Sequence, residues 1–166
     1  MAKLNIVKDG DPVLRKKCRA VDEITPKILT LLDDMTETMR DANGCGLAAP
    51  QVGILRRIVV IEVEDGTVYE MINPRITKKQ GEQQEMEGCL SVPGRYGIHK
   101  RPEVATVVYL DRDGCECELT GDGLLARAIC HECDHLDGVL FTDNALRMFT
   151  PEELAEMTED DDEDEE

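Results

Sequence analysis

Hydrophobic residues recur at helical spacing in two segments of the chain. The first segment begins at Thr25-Pro26, where a threonine can cap a helix and a proline suits its first turn. Its apolar positions are Ile28, Leu31, Leu32, Met35 and Met39. Asn43-Gly44 follows as a stop signal. The second segment covers residues 124–136 and stops at Asp137-Gly138. Both patterns predict amphipathic helices.

The chain between these helices carries strand patterns. Runs of β-branched and aliphatic residues stand on either side of two Asp-Gly pairs, which are typical of hairpin turns. The predicted strands and turns are 57–63, Asp65-Gly66, 67–72, 104–110, Asp113-Gly114 and 115–119. Two hairpins are therefore expected in the middle of the chain.

Two further features complete the predicted fold. Pro74 is expected to interrupt the strand that follows the first hairpin turn, because proline cannot donate to a strand ladder. Residues 139–141 are expected to form a short strand or a packed exit from the second helix. We predict an α+β fold in which mixed or antiparallel sheets pack around the second helix.

Acidic residues are concentrated at the end of the chain. The 166 residues include 36 acidic and 19 basic ones, and eleven of the acidic ones lie between Glu152 and Glu166. We predict one domain over 1–150 and an acidic tail over 151–166 that is disordered or weakly helical. The tail is expected to be solubilising. Binding of a basic partner is the alternative, whereas RNA would repel it and direct DNA binding is not expected.

No segment approaches the roughly 20 apolar residues that a membrane span needs. The amino terminus also has neither a long apolar run nor an Arg/Ser-rich presequence. A cytoplasmic protein without a membrane partner is expected. Its seven cysteines are then expected to be reduced thiols, with metal ligands among them, and not a disulfide framework.

An H-E-x-x-H motif spans His131 to His135 on the second predicted helix. Residues four apart share a helix face, so both imidazoles can reach one metal ion. Glu132 is placed to act on water at that metal. Leu124 and Ala128 share the histidine face and are expected to pack beneath the site. The alternative is that two surface histidines have this spacing by chance. It is disfavoured because the chain has only three histidines and two of them fall in the motif with the glutamate in place.

The third metal ligand could be an aspartate, glutamate, histidine or cysteine, and a loop pattern distinguishes one of the cysteines. A catalytic site needs three protein ligands and an open position. Cys89 lies in a segment bracketed by Gly88 and Pro93, and a thiolate beside two imidazoles suits Fe(II) or Zn(II). A buried structural cysteine is the alternative for Cys89. The remaining histidine, His99, is expected at the surface or at a strand edge.

Three segments together resemble the peptide deformylase family. They are GCGLAAPQVG at 44–53, EGCLSVP at 87–93 and HECDHLDG at 131–138. The H-E-x-x-H motif is shared with many metalloproteases, whereas the other two are far more specific. The similarity extends from Asp11 to about Met148, so the deformylase domain is expected to be 1–150.

The resemblance implies a role for each matching residue. The metal ligands are Cys89, His131 and His135; the general base and acid is Glu132; the donors to the reacting oxygen are the Gln51 amide and the Leu90 N–H. Gly46 lies beside the substrate backbone. Cys45 stands where relatives usually have an aliphatic residue and is expected to face the substrate. Leu124 and Ala128 are candidate walls of a methionine pocket. Glu87 and Arg101 match a structural ion pair that steadies the cysteine loop.

The implied reaction is hydrolysis of the formyl group from N-formylmethionine at the amino terminus of nascent polypeptides, which releases formate. One divalent metal is expected: Fe(II) in the cell, with Zn(II) or Ni(II) as alternatives, since supply and loading decide as well as affinity. The partners are N-formylmethionyl nascent peptides, bound as an added strand at a sheet edge. Transient association with the ribosome is also expected.

Departures from the family pattern are small. Cys130 stands where relatives usually have glutamine, and Cys133 where they usually have an aliphatic residue. Because this C-x-x-C pair is mid-helix, two packing residues are expected and not a redox pair. Three alternative functions are an H-E-x-x-H endopeptidase, a catalytically silent ribosome-associated protein, and a structural zinc protein with a closed four-ligand site.

Overall fold

The computed structural model describes residues 2–64 and 66–164, with 158–164 described as backbone. Its helices and strands are, in chain order, α1 (Pro26–Asp41), β1 (Gly46–Ala48), β2 (Ile58–Glu64), β3 (Thr67–Gln80), β4 (Gln83–Cys89), β5 (Val92–Arg101), β6 (Val104–Leu110), β7 (Glu116–Asp122), α2 (Gly123–Leu136), α3 (Phe141–Asn144), β8 (Arg147–Met148) and α4 (Pro151–Asp164). Short 3-10 turns cover Pro12–Arg15 and Ala49–Val52.

The strands form two antiparallel sheets. The larger sheet has the order β1-β2-β3-β6-β7, and the smaller has the order β4-β5-β8. Strand β1 is an edge strand, in register with β2 from the pair Gly46 and Ile61 to the pair Ala48 and Val59. The predicted α+β class with antiparallel sheets is confirmed.

The larger sheet is buried on both faces by a helix. On one face, Val59 and Ile61 of β2 pack with Ile129 of α2 in one apolar cluster. On the other face, the alternate residues Ile58 and Val60 pack with the apolar residues of α1. Because strand side chains alternate between faces, a continuous apolar run is what a doubly covered strand requires. Helix α2 therefore lies in the interior, as predicted.

Local signals account for the helix ends. The Thr25 hydroxyl accepts a hydrogen bond from the Ile28 N–H at 3.4 Å and caps α1. Past the end of α1, Asn43 has a φ of 59°, in the left-handed region that asparagine tolerates. After α2, Gly138 has a φ of 77°, and a Cβ there would lie 2.5 Å from the Arg15 carbonyl oxygen. Glycine is needed at this position on both counts.

One strand prediction needs correction, and one hairpin was missed. Strand β3 does not stop at Pro74 but continues to Gln80, because a shift of register between Ile72 and Arg75 lets the pairing pass the proline. Of the two alternatives for residues 139–141, the structure has a packed exit and not a strand: Leu140 and Phe141 are buried, and the helix α3 begins at Phe141. The β4–β5 hairpin was not predicted. The predicted Asp65-Gly66 turn includes Asp65, which lies outside the described residues.

The acidic tail has a helical backbone from Pro151 to Asp164, and Glu165 and Glu166 lie outside the described residues. The division into a domain over 1–150 and a tail over 151–166 stays a prediction. Across the described part of the chain, no helix is long and apolar enough to span a membrane.

Candidate metal and catalytic site

Helix α2 and the β4–β5 hairpin bring three potential metal ligands together. His131 and His135 lie one turn apart on α2, and Cys89 ends β4. One ligand atom from each of the three residues lies within 4.8 Å of the others. The Cys89 Sγ is 3.4 Å from the His135 Nε2. Both histidines are buried. The two segments that carried the sequence prediction therefore converge at one point.

A buried carboxylate orients the first histidine. Nδ1 of His131 is in hydrogen-bond contact with Oε1 of Glu87, so the ring presents its Nε2 to the ligand cluster. Glu87 also pairs with Arg101, whose Nη2 lies 2.6 Å from Oε1. Although burial alone would raise the pKa of Glu87, the hydrogen bonds from His131 and Arg101 hold it well below its usual range. Glu87 is therefore an ionised acceptor.

The second histidine is held in its neutral form. Burial, and then the charge of His131, lower the pKa of His135 well below its usual value. A neutral imidazole is the form that binds a metal ion. Within the described residues, the buried Nδ1 of His135 has no hydrogen-bond partner among the protein atoms.

Glu132 faces Gly46, the first residue of β1. It is 4% exposed, and burial raises the pKa of its carboxyl to about 7. Its Oε1 is buried without a protein hydrogen-bond partner in the described part of the chain. A Cβ placed on Gly46 would collide with Oε2 and would lie 2.9 Å from Cδ. The absence of a side chain at Gly46 therefore leaves room for the carboxylate.

The Gln51 side chain is fixed on both sides of its amide. Its Oε1 accepts a hydrogen bond from the Ala48 N–H at 2.9 Å. Its Nε2 donates to the Ser91 Oγ at 3.1 Å and to the Cys89 Sγ at 3.6 Å. Gln51 is buried, so its N–H group is held against the ligand cluster.

A cavity of about 410 Å³ opens beside the cluster. His131, Glu132 and Cys89 line this cavity. So does every residue predicted for substrate binding or for contact with the reacting oxygen: Cys45, Gly46, Gln51, Leu90, Leu124 and Ala128. Leu124 is 55% exposed and lies at the rim, so it does not form buried packing beneath the site as predicted. Ala128 is buried, as that packing role requires.

Several residues of the site were missed in the sequence. Met86 and Tyr96 line the cavity from the β4–β5 hairpin, which had not been predicted. Arg127 lines it from α2 and forms an ion pair with Glu87. A charged residue four positions before His131, on the apolar face of a helix, was the available signal for Arg127. Its four-residue spacing would have placed it beside the histidine.

Two predictions about other residues can be compared with the structure. His99 is not at the surface or at a sheet edge: it is 6% exposed in the central strand of the smaller sheet, and its carbonyl oxygen accepts a hydrogen bond from Arg127 of α2. Cys130 packs against Ala105 and Ala126, and Cys133 packs against the core between α2 and the larger sheet. Neither thiol belongs to the ligand cluster found among the described residues.

The chain is similar to known deformylases over most of its length. A family model described as polypeptide deformylase matches residues 3–149. The peptide deformylase of Caldanaerobacter subterraneus subsp. tengcongensis is 55% identical over 159 residues, which cover 96% of this chain and 99% of that protein. The peptide deformylase of Agathobacter rectalis is 55% identical over 94% of this chain and 100% of its own length.

Solved structures give the same picture. A peptide deformylase from Synechococcus elongatus in complex with actinonin has a TM-score of 0.83 and 44% identity, and the match covers 86% of this chain and 80% of that chain. The peptide deformylase from Thermotoga maritima has a TM-score of 0.83 and 37% identity, with 86% and 97% covered.

Proposed function

The chain belongs to the peptide deformylase family, metallohydrolases that remove the formyl group from the N-terminal formylmethionine of nascent peptides, and we propose which of its residues carry out that hydrolysis. The convergence of Cys89, His131 and His135 beside Glu132 is the observation that carries the proposal. Three ligands leave an open coordination position, which a catalytic site needs.

A divalent metal ion fits this donor set. One thiolate and two imidazoles suit Fe(II) and Zn(II), and the clustered ligand atoms leave room for a shared ion. When bound, the metal supplies Lewis-acid polarisation of a carbonyl oxygen and lowers the pKa of water. Cys89, His131 and His135 would hold it, and the Glu87 carboxylate would fix the tautomer of His131. We propose Fe(II) as the metal in the cell, with Zn(II) or Ni(II) as substitutes.

Glu132 moves the proton. Its Oε atoms lie in the cavity beside His131, and a pKa of about 7 lets the carboxylate accept a proton near neutral pH and return it. It would take a proton from the attacking water and give it to the leaving amine of methionine. Its Oε1 has no protein hydrogen-bond partner among the described residues, so no protein donor there competes with the transferred proton.

Two donors are proposed to stabilise the negative charge on the formyl oxygen. The Ala48 N–H donates to the Oε1 of the Gln51 amide and so fixes its orientation. The Nε2 of the same amide points to the Cys89 Sγ. The N–H of Leu90 follows the ligand Cys89 in the same turn, on the wall of the cavity. Donors that are already oriented cost no rearrangement during the reaction, and removal of one costs roughly 3 kcal/mol of barrier.

The cavity offers a binding site for the methionine side chain of the substrate. Ala128 and the stems of Leu124 and Met86 offer an apolar lining next to the ligand cluster. Strand β1 is the edge of the larger sheet, begins at Gly46 and follows Cys45, so the peptide backbone can be added there as a strand. Formylated nascent peptides are thus the substrates, and transient contact with the ribosome is proposed as their source.

The proposal is tested by measuring formate release from a formyl-Met tripeptide. The protein is loaded anaerobically with Fe(II) or, separately, with Zn(II) or Ni(II). We expect release with each active metal and no cleavage of an unformylated peptide of the same sequence. Cleavage of an internal bond in the unformylated peptide would instead support an endopeptidase. No release from folded, metal-loaded protein would contradict the proposal.

A further inference from the structure

Arg127 is a buried cation that the proposed reaction does not use. It lies on α2, four residues before His131, and is 4% exposed. An arginine is almost never buried to this degree without a paired anion. Its position on the wall of the substrate cavity, beside the ligand His131, suggests a role at the site.

The guanidinium of Arg127 connects α2 to both strands of the β4–β5 hairpin. Its Nη1 donates to Oε2 of Glu87 at 2.6 Å. Its Nη2 donates to the carbonyl oxygen of His99 at 3.1 Å and to Oε1 of Gln83 at 3.3 Å. The guanidinium reaches these three acceptors from two different nitrogens held in a fixed fork, whereas a lysine presents its three donors from a single nitrogen.

The carboxylate of Glu87 is saturated by these contacts. Oε1 accepts from Nη2 of Arg101 and from Nδ1 of His131. Oε2 accepts from Nη1 of Arg127 at 2.6 Å and from Nε of Arg101 at 3.2 Å. A carboxylate has about four lone-pair sites, and all four are occupied. Arg127 provides the shorter of the two bonds to Oε2, so without it that oxygen would retain only the longer one.

The ion pairs around Glu87 support the same role for Arg127. Arg101 is shared between Glu87 and Asp134, at 2.6 Å and 2.7 Å. Arg127 is the second cation, and Glu87 is its carboxylate partner in the described structure. Two buried cations thus face two carboxylates. Loss of Arg127 would remove one of the two arginines that pair with Glu87 and would loosen its carboxylate beside His131, which is costly in a buried site.

We propose that Arg127 is a positioning residue for the metal centre: it holds the Glu87 carboxylate in the orientation that fixes the imidazole of His131. The inference rests on the proposed function only in that it takes His131 as a metal ligand. Outer partners of metal-binding histidines typically change metal affinity by about 10- to 100-fold when they are removed.

Cobalt(II) binding tests this inference without any substrate. Co(II) is titrated into metal-free wild type, Arg127→Met and Arg127→Lys, and visible and thiolate-to-cobalt absorption is recorded. We expect Arg127→Met to weaken binding about 10-fold or more and to shift the absorption bands at saturation. Arg127→Lys keeps the charge but presents its donors from a single nitrogen, so it should recover part of the affinity. Thermal unfolding of each metal-free protein checks folding.

Arg57→Met is the matched control. Arg57 also attaches α2, through the Leu136 carbonyl and Asp137, but it does not contact Glu87 or His131. It should lower thermal stability and leave the cobalt spectrum and affinity unchanged. The inference is overturned if Arg127→Met binds Co(II) with wild-type or higher affinity and an unchanged spectrum. Because no substrate is present, that result would not bear on deformylation itself.

Discussion

A methyl group at Gly46 is expected to displace the proposed catalytic carboxylate. The Cβ of Gly46→Ala would collide with Oε2 of Glu132 and lie 2.9 Å from Cδ and 3.0 Å from Cγ. Carbon atoms in relaxed contact are about 3.5–4.0 Å apart, so the carboxylate must move by roughly 0.5–1 Å. Because Glu132 is buried, the movement cannot simply swing it into solvent.

A displacement of this size costs about 100-fold in rate when it misplaces a reacting group. We therefore expect kcat for a formyl-Met tripeptide to fall about 100-fold, which is roughly 2.7 kcal/mol of barrier. The backbone at Gly46 is not in the left-handed region, so alanine can adopt it. Alanine also restricts the unfolded chain more than glycine does, which stabilises the folded protein by up to about 1 kcal/mol. This gain offsets the cost of the clash, so thermal stability should change little.

Formate release and thermal unfolding are measured side by side for wild type, Gly46→Ala and Gly121→Ala. The last is a control in which the added Cβ would lie 2.6 Å from Cγ of Leu125, and neither Gly121 nor Leu125 is among the residues that line the cavity. Because its clash and the offsetting effect on the unfolded chain are similar to those of Gly46→Ala, we expect a comparable change in thermal stability and an unchanged kcat. A kcat for Gly46→Ala within threefold of wild type would refute the reasoning, as would a loss of rate explained by unfolding.

Three further outcomes are expected. Gln51→Leu should lower kcat about 100- to 1,000-fold and retain its metal, as measured by formate release and metal analysis. Loss of the metal would instead show that Gln51 supports the Cys89 thiolate. The hydrogen bonds from Arg40, then that from Gly66, lower the pKa of Glu62 from 4.5 to about 2. Its stabilisation is therefore present above pH 4.5 and lost as pH falls towards 2, so the difference in thermal stability between wild type and Glu62→Gln should shrink over that range; a pH-independent difference would contradict this. Truncation after Thr150 should leave kcat/KM for the tripeptide unchanged, and a loss greater than threefold would place the tail within the domain.

The parts of the site that could be predicted from the sequence are those with local spacing. His131 and His135 share a face because a helix repeats every 3.6 residues, and the sequence around Cys89 is itself distinctive. The α1 and α2 boundaries also followed from caps and glycines that act within a few residues. The larger sheet was predictable because its β2 strand carries an uninterrupted apolar run.

The β4–β5 hairpin was not predictable in the same way. Its strands are largely polar and exposed, so they show no apolar alternation, and their pairing is decided by long-range contacts. Glu87 and Arg101 were assigned to each other through the family pattern, whereas the link from Arg127 depends on the packing of α2 against the hairpin. The passage of β3 through Pro74 depends similarly on a register shift that only the partner strand β6 determines.

The central claim is that Glu132 moves the proton at a metal centre held by Cys89, His131 and His135. It is tested most directly by comparing formate release by wild type and Glu132→Gln, both loaded anaerobically with Fe(II) and both assayed for bound metal. We expect Glu132→Gln to retain one metal ion per chain and to lose activity by at least 100-fold. Activity of the metal-bound variant within a few-fold of wild type would contradict the account.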